Sequence, residues 1–145
     1  DTDEEVDLLA LAAEECARDD TQLDGEPVTV RGDPRLLRRM IRNLLENAKR
    51  HGAPPIEVRV SRVGDGAEIA VCDHGAGVPE VERERVFDPF YRHTGAGEIT
   101  GAGLGLALVR QIARRHGGEA RCAPQSGRGS CFIVVLPVYH PRRFT

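Results

Sequence analysis

Residues 33–51 constrain the fold more than any other stretch of the chain. Asp33 can cap a helix whose first position is Pro34, where a missing backbone N–H costs nothing. From there Leu36, Leu37, Met40, Ile41, Leu44, Leu45 and Ala48 recur at helical spacing, up to a stop near His51-Gly52 before Pro54-Pro55. A helix with one apolar stripe must lay that stripe on another element. The next residues supply one. Ile56, Val58 and Val60 alternate with polar side chains, Gly64-Asp65-Gly66 forms a turn, and residues 68–72 return as the second strand of a hairpin. Later, residues 104–116 repeat the helical pattern and stop at Gly117-Gly118. Residues 119–123 and 131–136 then read as a last antiparallel pair, joined through residues 125–129. The order predicts one domain over residues 1–145, an α/β two-layer sandwich with helices over a mixed, mainly antiparallel sheet.

The remaining segments are less periodic. Val6, Leu8, Leu9, Leu11, Ala12 and Cys16 predict an amphipathic first helix over residues 4–18. Short extended pieces are expected at residues 22–23 and 28–30, and a short helix at residues 80–86. Residues 92–103 are rich in glycine and lack an apolar period, which predicts a mobile loop. Residues 140–145 read as an exposed end.

Composition narrows the function. A formal net charge of −3 and a pI near 6.0 give no global basic field for nucleic acid. Two tyrosines, four phenylalanines and no tryptophan are too few for a base-stacking platform. Cys16, Cys72, Cys122 and Cys131 form no CxxC pair and have no histidine at zinc-ligand spacing, so reduced, mostly buried thiols and a cytoplasmic setting are expected. No apolar run approaches a membrane span. The chain opens on Asp1 rather than methionine, which reads as a start inside a longer protein.

Three stretches carry candidate chemistry. On the helix over residues 33–51, Asn43, Asn47 and Arg50 fall at i, i+4 and i+7, away from the apolar stripe. Such a stripe can offer amide oxygen to Mg²⁺ and a cation to phosphate, although polar stripes on amphipathic helices are also ordinary. Asp73-His74-Gly75-Ala76-Gly77-Val78-Pro79 follows a strand. A carboxylate there can accept from an exocyclic amine, while glycines let backbone approach a flat ring. Taken alone, it is also a common turn. Gly101-Ala102-Gly103-Leu104-Gly105-Leu106 runs into a helix, where free N–H groups and the helix dipole favour an anion. It neither follows a strand directly nor ends in GK[ST], which argues against a Rossmann fingerprint and a P-loop.

In order, Asn43-Leu-Leu-Glu-Asn47, Asp73-His-Gly-Ala-Gly77, Phe87-Asp-Pro-Phe90-Tyr-Arg92, Gly101-Ala-Gly-Leu-Gly-Leu106 and Gly127-Arg-Gly-Ser-Cys-Phe132 resemble the box series of sensor histidine kinase catalytic domains. The resemblance spans about residues 28–136. It implies the Bergerat-type ATP-binding sandwich shared with gyrase, Hsp90 and MutL. It assigns Asn47 as the Mg²⁺ ligand, with Asn43 toward the phosphates, Arg50 on phosphate and His51 against adenine. Asp73 would bind the adenine amino group, helped by Gly75 and Gly77, with Val78 and Ser130 also lining the nucleotide. Residues 92–103 would form the ATP lid, with Arg92 among its few cations. Gly101, Gly103, Leu104, Gly105 and Leu106 would present backbone to phosphate.

Relatives that hydrolyse ATP, and anti-sigma-factor serine kinases, carry a glutamate four residues before the Mg²⁺ asparagine. A water or hydroxyl nucleophile needs such a base near neutral pH. Here that residue is Asn43, and Glu46 points about 100° away from Asn47 around the helix. A neutral imidazole already presents a lone pair, so the resemblance implies a histidine acceptor. The alternatives are a regulatory ATP-binding module, or an ATPase or serine kinase of the same superfamily. None of the five histidines lies in the family's helical phosphoacceptor pattern. The acceptor is expected on a dimerisation domain before residue 1, with residues 1–20 following that hairpin. The same resemblance implies a homodimeric parent anchored in the bacterial inner membrane, serving a response regulator.

Overall fold

The computed structural model describes residues 3–19, 21–89, 91 and 104–141. Strand β1 (Glu4–Asp7) pairs antiparallel with β3 (Thr29–Gly32) in a small ribbon. The main sheet has the order β2-β4-β5-β7-β6, with β2 (Gln22–Gly25), β4 (Glu57–Val63), β5 (Gly66–Cys72), β6 (Glu119–Pro124) and β7 (Ser130–Pro137). Only β2 and β4 run parallel; the other neighbours are antiparallel. Helices α1 (Leu8–Asp19), α2 (Pro34–His51) and α3 (Leu104–Arg115) form the second layer. The expected two-layer α/β sandwich is therefore the observed one.

Alternation decides which sheet face meets the helices. Val58, Val60, Ile69, Val71, Phe132, Val134 and Leu136 point into one core with Leu37, Met40, Ile41, Leu44, Leu45 and Ala48 of α2. The helix ends are set locally. The Asp33 carboxylate accepts from Arg35 N–H at 2.9 Å, and Pro34 occupies the first turn. The end of α3 is held beside the start of α2 through His116, whose Nε2 accepts from Asp33 N–H at 3.1 Å.

Three expectations change. Residues 4–7 are strand rather than helix, because Asp7 caps α1 by accepting from Ala10 N–H at 3.0 Å and Val6 is buried opposite Val30 in the ribbon. The helix expected at residues 80–86 is two 3₁₀ turns, Glu80–Glu82 and Arg85–Phe87, since Val81 is 81% exposed and gives no anchor for an α-helical stripe. The cysteines are not all reduced: Cys72 and Cys131 form a disulfide across β5 and β7, while Cys16 and Cys122 stay free. Pairing of β5 with β7 places the two residues directly opposite each other, which their separation of 59 residues hides.

One buried charge ties α1 to α2. Glu15 is 2% exposed and takes a two-point contact from Arg42, at 2.9 and 3.1 Å, and a third from Arg38 at 3.1 Å. The Arg42 guanidinium lowers its carboxyl below the usual range against the opposing effect of burial, with Arg38 adding to the lowering. A folded-state value below the unfolded one stabilises above the ordinary carboxylate range and is lost as pH falls through the folded value. Glu15→Gln is expected to cost about 1–3 kcal/mol at neutral pH, since both arginines remain partly solvated. Urea unfolding of both proteins at pH 7 and at pH ~3 should show the gap narrowing in acid.

Candidate functional site

Strand β5 ends at Cys72 and delivers Asp73 into a corner made almost entirely of backbone. Asp73 is 3% exposed. Its Oδ1 accepts from Gly75 N–H at 2.8 Å, and its Oδ2 accepts from the Ser130 hydroxyl at 3.3 Å. Its own N–H donates to the Ser130 carbonyl at 2.9 Å, and His74 N–H donates to the Ala53 carbonyl at 2.8 Å. A carboxylate offers about four acceptor positions. Two are used internally, so the others remain for an exocyclic amine.

The corner needs two glycines by contact. A Cβ on Gly52 would lie 2.4 Å from Asp73 Cγ, and one on Gly129 would lie 2.0 Å from the Asp73 carbonyl oxygen. Gly129 also has φ of +106°, which side chains rarely adopt. In the sequence Gly52 reads only as the end of a helix. Gly52→Ala leaves an ordinary backbone conformation but drives a methyl into the carboxylate. We expect it to lower the melting temperature and to weaken nucleotide binding about tenfold or more, as overpacking costs roughly 1–3 kcal/mol. Calorimetric titration beside a thermal melt checks both effects.

Because Asp73 packs on Gly52, the strand-end carboxylate meets the C-terminal end of α2. Asn43, further along α2, lies at the other end of the site: its side-chain N–H donates to the Gly105 carbonyl in the first turn of α3, at 3.4 Å. Asn47 lies between these points, half-buried, and its amide makes no hydrogen bond among the described residues. Arg50 and His51 are exposed on the last turn. The helix α2 thus runs between the Asp73 carboxylate and the first turn of α3.

Leu104 opens α3, Gly105 follows with no heavy atom within 4 Å of where its Cβ would be, and Leu106 is buried at 7% exposure. Leu106 therefore anchors that first turn in the core while Gly105 leaves space beside it. Val78 and Ser130 are buried at the corner, at 8% and 4% exposure. The segment expected as a lid, residues 92–103 with Arg92, Gly101 and Gly103, lies outside the described residues. Ahead of it, Phe87 packs edge-on against Phe132 at 6.2 Å, and Arg110 of α3 lies over the Phe87 ring at 4.4 Å while pairing with Glu84 and Glu119. The candidate motifs around Asn43, Asp73, Phe87, Gly105 and Ser130 thus meet around one side of α2 and α3.

An Mg²⁺ ion carried by a nucleotide keeps several waters and phosphate oxygens and needs only one or two protein oxygens. The unengaged Asn47 amide fits that demand. Among the described residues, no group of three His, Cys, Asp or Glu side chains could hold a metal by itself.

Comparison with known proteins agrees with this geometry. Residues 32–140 match the family described as histidine kinase-, DNA gyrase B-, and HSP90-like ATPase. The signal transduction histidine-protein kinase/phosphatase MprB of Mycobacterium sp. (strain KMS) is 40% identical over 129 residues, covering 83% of this chain and 25% of the relative. The adaptive-response sensory kinase SasA of Crocosphaera subtropica (strain ATCC 51142 / BH68) is 38% identical over 113 residues, covering 76% of this chain and 30% of the relative. Among solved structures, the ATP binding domain of PrrB from Mycobacterium tuberculosis superposes with a TM-score of 0.77 at 33% identity, covering 97% of this chain and 100% of that one. The chain spans about a quarter to a third of the length of the curated relatives it matches.

Proposed function

The chain belongs to the histidine kinase-, DNA gyrase B- and HSP90-like ATPase family, and from that premise we propose that it binds ATP with Mg²⁺ and donates the γ-phosphate to a histidine on a separate dimerisation domain of the same parent. The observation that carries this reading is the Asp73 carboxylate, nearly buried in a glycine corner with acceptor positions to spare. Asp73 orients adenine through its amino group. Arg50 and the first turn of α3 hold phosphate, and His51 packs beside the base. Asn47 would supply a protein oxygen to Mg²⁺, which would offset the charge of the transferring group.

Asn43 supports transfer to histidine over hydrolysis or transfer to serine. It is an amide engaged with Gly105, and an amide cannot take a proton from water or a hydroxyl. In the parent, the acceptor hairpin precedes this chain, two copies pair through it, and a response regulator takes the phosphoryl group from the histidine. We place the domain on the cytoplasmic side of an inner-membrane-anchored parent. Among the described residues, no helix is long and apolar enough to cross a membrane.

The test is calorimetric titration with ATP and with GTP in the presence of Mg²⁺. Binding of ATP with GTP weaker by tenfold or more is expected, because GTP presents an oxygen where adenine presents its amino group and faces the carboxylate with a lone pair. Equal affinity for the two, or no binding of either, sinks the proposal.

A further inference from the structure

Beyond nucleotide binding, we propose that Cys72 and Cys131 form a reversible thiol-modification site through which low-molecular-weight thiols and disulfides set the affinity for ATP. The inference rests on the nucleotide reading of the Asp73 corner. Cys72 and Cys131 are opposite each other on β5 and β7, with Cα atoms 4.0 Å apart, and the next pair along the ladder is Asp73 and Ser130. Asp73 and Ser130 are joined by a backbone hydrogen bond, so the cysteines occupy the neighbouring non-hydrogen-bonded position, where facing side chains come closest. A bond between them holds the two strands together directly beside the carboxylate that takes the base. The Ser130 hydroxyl reaches that carboxylate at 3.3 Å, near the limit of a useful hydrogen bond, so small widening of the strands loses it.

Access comes from the sheet face away from the helices. A cavity of about 220 Å³ opens there, bounded by Cys72 with Gln22, Asp24, Glu57, Arg59 and Gln125. Arg59 is exposed and makes no ion pair among the described residues, which suits the carboxylate of a small peptide thiol. The other two cysteines compete poorly. Burial pushes the Cys16 and Cys122 thiols up to about 11, leaving little thiolate at neutral pH.

The chemistry is exchange. A thiolate RS⁻ attacks Cys72 Sγ, the Cys72–Cys131 bond breaks, and the electron pair leaves on Cys131, which takes a proton from solvent. A second RS⁻ attacks the mixed disulfide, releasing RSSR and the Cys72 thiolate, which is protonated in turn. The protein disulfide plus two RSH thus gives two cysteine thiols plus RSSR, and the reverse sequence re-forms the bond. The rest of the β5–β7 ladder remains in the reduced chain, so the fold persists while the corner is less preorganised. If the corner is competent about a fifth of the time when reduced, affinity falls about fivefold.

The test equilibrates the 145-residue chain with graded ratios of reduced and oxidised glutathione, counts alkylated thiols by mass, and titrates ATP by calorimetry. Two thiols per chain should interconvert, with ATP binding about fivefold weaker in the reduced form. The Cys72→Val/Cys131→Val variant should bind ATP alike at all ratios. Equal, measurable affinity in both forms of the wild type overturns this proposal alone, as does absence of the disulfide at every ratio or an unchanged redox response in the double variant. A chain that binds no ATP in either form overturns the nucleotide reading and this one with it.

Discussion

Asp73→Asn is expected to weaken ATP binding by roughly ten- to a hundredfold, the cost of one charge-assisted hydrogen bond in a buried site, about 1.5–3 kcal/mol. The substitution keeps the shape of a side chain that is 3% exposed, so packing against Gly52 survives. Its effect falls on chemistry. An asparagine offers one oxygen instead of two, and its amide nitrogen has to face either the Gly75 N–H or the Ser130 hydroxyl that the carboxylate now satisfies. Ser130 can reverse and accept, but the Gly75 N–H cannot. The amide oxygen is therefore held by Gly75, and the group left toward the base is a donor facing the donor amine of adenine. Calorimetry should show the loss of affinity with a nearly unchanged melting temperature. Unchanged affinity for ATP would remove Asp73 from the site.

What sequence alone made legible follows from how local each determinant is. The helix α2 was readable to its ends because its cap Asp33, Pro34 and the apolar period are all local to it. The order of the sheet was partly readable, since β4 and β5 share a tight turn and show period two. Val6 fits a helical stripe as well as a strand, and only its pairing with Val30 decides between them. The Cys72–Cys131 bond depends on β5 lying beside β7 and was invisible for the same reason. The site shows a similar division. Asn43, Asn47 and Asp73 were legible as candidates because amide and carboxylate chemistry is written in residue type, their roles being what the family resemblance implies. Gly52 was not, because its part is to be absent from the space that Asp73 fills, and that depends on where α2 ends relative to β5. The contact of Asn43 with Gly105 likewise spans 62 residues.

The largest effect is expected at Asn47, in a reaction that the proposed function completes only on a separate acceptor. By the family resemblance its five histidines lie outside the acceptor pattern, and Asn43 stands where hydrolytic relatives carry a base. Incubated with γ-labelled ATP, the chain by itself should therefore acquire almost no label and release little phosphate. Adding the parent's histidine-bearing helical hairpin in trans should restore labelling of the hairpin. The rate will be slow, because the linker's effective concentration is lost. Phosphoryl transfer depends chiefly on positioning and on offsetting charge at the transferring group, and losing one fixed electrostatic contact in such a site costs about a hundred- to a thousandfold. Asn47→Ala removes the half-buried amide oxygen proposed for Mg²⁺ without touching Asp73, so transfer to the hairpin should fall by about a hundredfold or more while adenine recognition is partly retained. Measuring ATP affinity on the same variant separates the two. Label on the isolated chain would show an acceptor within it, rapid phosphate release would favour hydrolysis, and transfer by Asn47→Ala at the wild-type rate would place the Mg²⁺ ligand elsewhere. Each result tests a different residue: a histidine of this chain, Asn43, and Asn47.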